Sequence, residues 1–145
     1  MDKHEKLLHQ LFQTVRMISK GLNTILEPYG LYSSEWTIIT TLKESGPLTQ
    51  GALSNYLSIE PPAVSRSLVK LEKKGLITRI SGADKREKRV SLSEEALVQY
   101  PQWLEASRQH RRAVLADLSY EKQAELEQLL NSIYRNAQQH EKPHE

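Results

Sequence analysis

The sequence predicts a mainly α-helical chain with one small β-hairpin, in the order α-α-α-α-β-β-α-α. Three observations carry that expectation. Long stretches at both ends repeat apolar residues every three or four positions, the period of a helix with one buried face. Two short helical patterns in the middle are separated by only a few residues, as in a helix-turn-helix. Directly after them, two runs of alternating apolar and polar residues flank a turn, as in a β-hairpin.

The first helix is expected from Lys3 to Leu26, with Leu8, Leu11, Phe12, Val15, Ile18, Leu22, Ile25 and Leu26 on one face and Leu7 widening it. Pro28 and Gly30 end it. Ser33 and Ser34 supply an N-cap for a second helix over residues 35–44, with Trp36, Ile39 and Leu42 facing inward. Gly46 and Pro47 break that helix, and Thr49 caps a third, short one carrying Ala52, Leu53, Tyr56 and Leu57. After a tight connection at Ser58 and Ile59, Pro61 opens a fourth helix at a position where its missing N–H costs nothing. Val64, Leu68 and Leu71 form the buried stripe of that helix, and Gly75 is its expected left-handed stop.

Residues 76–81 and 89–92 alternate in polarity around the turn at 82–88, which makes a hairpin. A hairpin after a helix-turn-helix is a wing. Ser93 with Glu94 and Glu95 caps and charges the start of a long helix bearing Leu97, Tyr100, Trp103, Leu104, Val114 and Leu115. Pro101 lies inside that pattern and is expected to kink it near Leu97 or Val98. Ser119 caps a last helix with Leu126, Leu129, Leu130, Ile133 and Tyr134 on one face.

Composition narrows the function classes. The chain has 145 residues, 38% of them hydrophobic and 26% charged, enough for one domain with a real core and helices that each expose a face. It has no cysteine, which excludes disulfides, thiolate metal sites and cysteine nucleophiles. No apolar run approaches the roughly 18 residues that span a bilayer, and the first residues lack the apolar segment of a signal peptide, so a cytoplasmic protein without membrane contact is expected. Only the final HEKPHE is expected to be disordered. No glycine-rich phosphate loop, nucleophile elbow or HExxH motif appears, so neither an enzyme nor a cofactor is expected. His140 and His144 share helical spacing, but in a proline-containing tail, and no metal site is assigned.

Charge is concentrated. Residues 59–92 hold nine Lys and Arg (Arg66, Lys70, Lys73, Lys74, Arg79, Lys85, Arg86, Lys88, Arg89) against Glu60, Glu72, Asp84 and Glu87, a net +5 in a chain whose formal total is +2. A local cationic surface of this kind suits a phosphate backbone. On the fourth helix, the outward positions carry Pro62, Ala63, Ser65, Arg66, Val69, Lys70 and Lys73. Small residues facing solvent (Ala63, Ser65, Ser67) permit close approach to base edges, Arg66 reaches guanine or phosphate, and the lysines behind meet phosphates. The N-terminus of that helix is a further place for a phosphate. In the turn, Arg86 stands ready for the minor groove with Lys85, Lys88 and Arg89 around it. Asp84 is expected to hold a neighbouring arginine or the turn itself by an Asx-type hydrogen bond. The plainer alternatives are a solvated amphipathic helix and a charged, soluble hairpin.

The run Leu71-Glu72-Lys73-Lys74-Gly75-Leu76-Ile77-Thr78-Arg79, then Asp84-Lys85-Arg86, then Val90-Ser91-Leu92-Ser93, resembles the MarR (multiple antibiotic resistance) family of bacterial transcription regulators. The resemblance covers residues 31–96 by motif, and the flanking helices agree in order and length. It implies a winged helix-turn-helix flanked by long dimerisation helices: a single domain over 1–145, with a DNA-binding lobe at 30–95 and a helical dimerisation lobe from 1–27 and 96–140. It implies a homodimer that binds double-stranded DNA at a pseudo-palindromic operator, usually represses, and is released by a small anionic or phenolic effector. Pro62, Ala63, Ser65, Arg66 and Lys70 match the family's recognition-helix surface, Arg86 its wing-tip arginine and Asp84 the supporting acid. Two positions depart. Pro61-Pro62 stands where one proline is usual, which bears on the bases read, and Ala96 stands where a glycine often opens the helix after the wing.

The apolar ends fit a dimer. Leu7, Leu8, Leu11 and Phe12 at one end, and Leu126, Leu129, Leu130, Ile133 and Tyr134 at the other, have no third layer within the chain to cover them. The alternative for those faces is one intramolecular helical pair. For the effector, Tyr29, Tyr32, Trp36, Trp103, Arg16 and Arg108 fall in the region the family uses, and none is assigned as a contact. The competing function is a winged-helix protein-interaction module whose basic surface meets an acidic protein partner. The operator sequence, the effector and the regulated genes are not written in the chain.

Overall fold

The computed structural model describes residues 1–82, 84 and 86–141, so expectations placed on Lys85 and on the tail at 142–145, His144 included, concern positions outside the described residues. Helix α1 spans Lys3–Leu26, N-capped by the Asp2 carboxylate, which accepts the Glu5 N–H at 2.8 Å. A 3-10 turn at Glu27–Tyr29 follows, closed by Gly30 at φ 71°. Then come α2 (Ser33–Ser45), strand β1 (Leu48–Thr49), α3 (Gln50–Leu57), α4 (Pro61–Lys73), β2 (Ile77–Ser81), β3 (Lys88–Leu92), α5 (Glu94–Val114) and α6 (Tyr120–Glu141). Contacts divide the chain into two units, Met1–His110 and Arg111–Glu145.

The core of the first unit forms where the periodic stripes meet. Val64, Leu68 and Leu71 of α4 are fully buried with Ile38, Ile39 and Leu42 of α2, Leu53 of α3, and Leu26 at the end of α1. Trp103 of α5 is buried edge-on to Trp36, their centroids 6.5 Å apart, and Tyr100 stacks on Trp36 at 5.5 Å. Full burial of a leucine contributes about 1.5–3 kcal/mol, so the five buried leucines named here and their neighbours fix the angle at which α4 is presented. Ala96 is itself fully buried in this core, so its methyl group has room where a glycine was the family habit.

The sheet corrects the expected element order. It has three antiparallel strands in the order β1-β3-β2, because Leu48 and Thr49 pair with Val90 and Arg89. The hairpin register sets Ile77 opposite Leu92, Arg79 opposite Val90 and Ser81 opposite Lys88. Burial in β2 does not alternate: Ile77 is buried and the four residues after it, Ile80 among them, are exposed.

Helix starts differ in one place. Ser33 and Ser34 lie inside the first turn of α2, and the N-cap is Tyr32, whose N–H donates to the Glu35 carboxylate at 2.9 Å. The Ser33 N–H is taken by Asn23 Oδ1 of α1 at 2.6 Å. The other expected caps are seen: Thr49 Oγ1 accepts from Ala52 N–H, Ser93 Oγ from Ala96 N–H and Ser119 Oγ from Lys122 N–H. Helix α5 runs on through Pro101 as one element.

The second unit is the end of α5 and α6. Helix α6 has 22 residues and none of them is buried. Leu126, Leu129, Leu130, Ile133 and Tyr134 are all exposed. In the first unit, Leu7, Leu8 and Phe12 of α1 are exposed and Leu11 is half-buried.

Candidate nucleic-acid interface

The exposed face of α4 is set by what its stripe buries. With Val64, Leu68 and Leu71 inward, the helical period leaves Pro62, Arg66, Val69, Lys70 and Lys73 outward, and all five are exposed. Ala63 and Ser65 are half-buried, as is Ser67, so they face solvent less than expected: each flanks the buried stripe rather than opposing it. They still leave low relief beside Arg66.

The start of α4 corrects a further expectation. Pro61 and Pro62 fill its first positions and carry no N–H, while the N–H groups of Ala63 and Val64 both donate to the Glu60 carbonyl, at 3.0 and 3.2 Å. The helix start therefore has no free backbone donor at these positions for a phosphate, and the Glu60 carboxylate stands beside it. Phosphate contact falls to side chains.

The wing tip is held by Asp84. Its carboxylate accepts the Arg86 N–H at 3.0 Å, and its carbonyl accepts the Glu87 N–H at 2.9 Å, while Gly82 N–H donates to Glu87 O at 2.9 Å. This is the Asx-type turn that the acid was expected to make. It fixes the backbone of Arg86 and leaves the guanidinium exposed. Lys88 is exposed at the start of β3.

Positive charge in this region is partly spent. Arg79 Nε meets Glu72 at 2.9 Å, Arg89 meets Glu87 at 3.4 Å, and Lys74 Nζ meets Glu35 at 2.7 Å. Arg66, Lys70, Lys73, Arg86 and Lys88 have no ion pair among the described residues. These five are on α4 and the wing, and all five stand in the predicted interface.

The Lys74 cluster had no counterpart in the sequence reading. Glu35 is 1% exposed, and both its carboxylate oxygens accept from Lys74 Nζ at 2.7 Å. The same ammonium donates to the Gly30 carbonyl at 2.7 Å and lies 5.4 Å from the Tyr32 ring centroid. Lys70 Nζ lies 5.5 Å from that ring. The signals available were weak: an acid three residues after Tyr32, where a capping box has one, and a Lys-Lys doublet before Gly75. Beside the cluster is a cavity of about 400 Å³ lined by Asn23, Thr24, Glu27, Gly30, Leu31, Tyr32 and Lys74. Of the aromatics and arginines placed near an effector, Tyr32 alone is among the residues lining this cavity.

The end of α4 and the wing share an anchor. Gly75 takes φ 74°, where a side chain is strained, and its carbonyl accepts the Ser93 hydroxyl at 2.7 Å. Ser93 N–H donates to Leu76 O at 3.0 Å, so the strand leaving the wing is tied to the residues that end α4.

Comparison with known proteins gives this geometry relatives. The model of the MarR family matches residues 31–88, from just before α2 to the first residue of β3. The uncharacterized HTH-type transcriptional regulator YwoH of Bacillus subtilis (strain 168) is 46% identical over 94 residues, 65% of this chain and 69% of that protein. Among solved structures, the organohalide-sensing regulator RdhR-CbdbA1625, bound to 2,4-dichlorophenol, superposes with a TM-score of 0.84 at 25% identity, over 94% of this chain and 82% of that one. A mutant MarR from E. coli complexed with operator DNA superposes at 0.81, with 20% identity over 92% and 99% of the two chains. A MarR transcriptional regulator from Methanosarcina mazei Go1 gives 0.81, with 22% identity over 96% and 93%. Those last two likenesses speak for the fold, and YwoH and the family match speak for descent. With the winged helix, the free cations on α4 and the wing, and these relatives in agreement, the chain belongs to the MarR family of DNA-binding transcriptional regulators.

Proposed function

We propose that the protein is a homodimeric repressor that reads a pseudo-palindromic operator with α4 and the wing and leaves it when a small anionic or phenolic effector binds. The observation that carries this reading is the distribution of unpaired positive charge. Arg66, Lys70 and Lys73 on α4, with Arg86 and Lys88 on the wing, remain after Glu35, Glu72 and Glu87 have taken their partners. Lys85 belongs to the same set by sequence. Arg66 is assigned to base edges and phosphate in the major groove beside Pro62, Ala63 and Ser65, Lys70 and Lys73 to phosphates, and Arg86 to the minor groove.

The dimer reading is supported by the faces that one copy leaves open. A helix in a protein draws most of its stability from a packed apolar face, and none of the 22 residues of α6 is buried. In this reading, residues 30–95 are the DNA-binding lobe, and 1–27 with 96–140 pair with a second copy through Leu7, Leu8, Leu11, Phe12 and the α6 stripe. A two-fold axis then places two α4 helices about 34–36 Å apart, one turn of duplex. The cavity beside Lys74 is the seat we assign to the effector. Its volume of about 400 Å³ suits a small ring compound, and an anion there competes with Glu35 for the ammonium.

Fluorescence anisotropy on duplexes from the promoter of the protein's own gene tests the reading. Phosphate contacts from Arg66, Lys70, Lys73 and Lys88 of both copies give a slope of log K on log salt of about −7. A slope near zero, or no binding at low salt, overturns it. Capture of an acidic protein without sequence-dependent duplex binding identifies an interaction module instead.

A further inference from the structure

We propose that Tyr32 is a positioning residue for operator binding, its ring serving as the platform that stations the Lys70 ammonium on the outer face of α4. The inference rests on the reading that Lys70 meets a phosphate, and it adds the group that prepares Lys70 for that contact. Tyr32 lies outside α4, before α2, and is exposed, which offers a large ring no burial of its own. Its backbone is nevertheless pinned. The N–H donates to Glu35 Oε1 at 2.9 Å, the carbonyl accepts the Glu35 and Trp36 N–H groups, and the N–H of the next residue is held by Asn23. A ring on so fixed a backbone keeps its place.

Two ammonium groups stand within cation–π range of that ring, Lys70 at 5.5 Å and Lys74 at 5.4 Å from its centroid. Their roles separate by their other partners. Lys74 spends its donors on both Glu35 oxygens and the Gly30 carbonyl, so it is a structural cation with nothing left for DNA. The Lys70 ammonium makes no hydrogen bond or ion pair among the described residues. The ring face attracts its ammonium without consuming all three N–H donors, which leaves donors for a phosphate oxygen. A lysine already confined on a ring loses less rotamer freedom on binding than one sweeping through solvent, and preorganisation of this kind appears as affinity.

The test is a double-mutant cycle read by anisotropy across a salt series, with Tyr32→Leu, Tyr32→Phe, Lys70→Ala and the Tyr32→Leu/Lys70→Ala pair. Tyr32→Phe keeps the π face and binds as the parent does. Tyr32→Leu weakens binding by about two- to fivefold, and in the Lys70→Ala background it weakens binding no further. Equal loss in both backgrounds overturns the proposal while leaving Lys70 at the interface. If Lys70→Ala changes neither affinity nor the salt slope, the placement of Lys70 at a phosphate fails, and this proposal fails with it. One signature needs neither DNA nor a folded variant. In the proton NMR spectrum of the parent protein, the Lys70 ε-methylene resonates upfield of an exposed lysine because of the Tyr32 ring current. An unshifted Lys70 in the parent overturns the platform directly.

Discussion

Replacing Lys74 by Met keeps the side-chain stem and removes only the ammonium, which isolates the ion pair at the end of α4. Glu35 is 1% exposed, and without Lys74 its carboxylate retains one donor among the described residues, the Tyr32 N–H at 2.9 Å. Breaking a fully buried pair from one side costs about 3–5 kcal/mol, since the remaining charge is left in a poor solvent. Here the Lys74 side chain is 33% exposed, so water reaches one side of the pair and screens it. Discounting for that access leaves a loss of about 2 kcal/mol, and a smaller contribution from the Gly30 carbonyl, which water can satisfy.

For a chain of this length, about 2 kcal/mol lowers the thermal midpoint by roughly 4–8 °C. Urea and thermal unfolding at one fixed protomer concentration measure it, since association shifts apparent stability. The companion variant Glu35→Gln and the double variant complete a cycle. Lys74→Met with Glu35→Gln is expected to be more stable than Lys74→Met alone, because no charge is left stranded. A Lys74→Met protein within about 0.5 kcal/mol of the parent refutes the reasoning and makes the pair an ordinary screened surface contact. The same variant separates structure from DNA contact. Because Lys74 donates only within the protein, its loss leaves the salt slope of duplex binding unchanged, which a lost phosphate contact does not.

Two further outcomes are expected. Arg86→Ala loses about 1–3 kcal/mol of operator affinity with fold and dimer intact, whereas Asp84→Ala, which frees the turn but keeps the guanidinium, loses less; unchanged affinity in Arg86→Ala assigns the wing a solubility role. Deleting residues 1–11 removes Leu7, Leu8 and Leu11 and weakens both self-association by light scattering and operator binding; a fully dimeric truncation refutes the assignment of that end to the interface.

The helices were readable because their signal is local and repeated. The stripe of Val64, Leu68 and Leu71, the start at Pro61 and the left-handed stop at Gly75 all lie within one turn of the residues that announce them. Asp84 was readable for the same reason, since its hydrogen bond reaches only to Arg86. What escaped is what depends on distant partners. Two residues, Leu48 and Thr49, are too few to display alternation, and they become a strand only because β3 arrives beside them. Glu35 reads as the polar opening of a helix until Lys74, 39 positions later, closes over it. Net charge is equally blind to pairing: it counts Lys74, Arg79 and Arg89 as cations on offer, although acids within the fold hold all three. The double proline looked like an ordinary helix start, and only the bonds from Ala63 and Val64 to Glu60 show that it also closes that end to a phosphate.

These distant contacts converge on one place, and that convergence explains how two separate tools keep a fixed relation. Lys74 ties the last turn of α4 to Glu35 of α2 and to Gly30. One residue later the Gly75 carbonyl takes the Ser93 hydroxyl, and Leu76 takes the Ser93 N–H, which fastens the strand returning from the wing. Across that strand, Arg79 reaches back to Glu72 of α4. A helix and a hairpin proposed for the major and minor grooves of one duplex bind more tightly if the offset between them is already set, because each would otherwise lose freedom separately on binding. The short segment from Lys74 to Leu76 sets it. Changes at Arg66 and at Arg86 remove contacts that lie apart and should add, whereas a change at Lys74, Gly75 or Ser93 loosens the relation on which both contacts depend. In the proposed mode the basic surface supplies the attraction to DNA, and this joint, where Glu35 neutralises Lys74, holds helix and hairpin to one offset so that two grooves can be met at once.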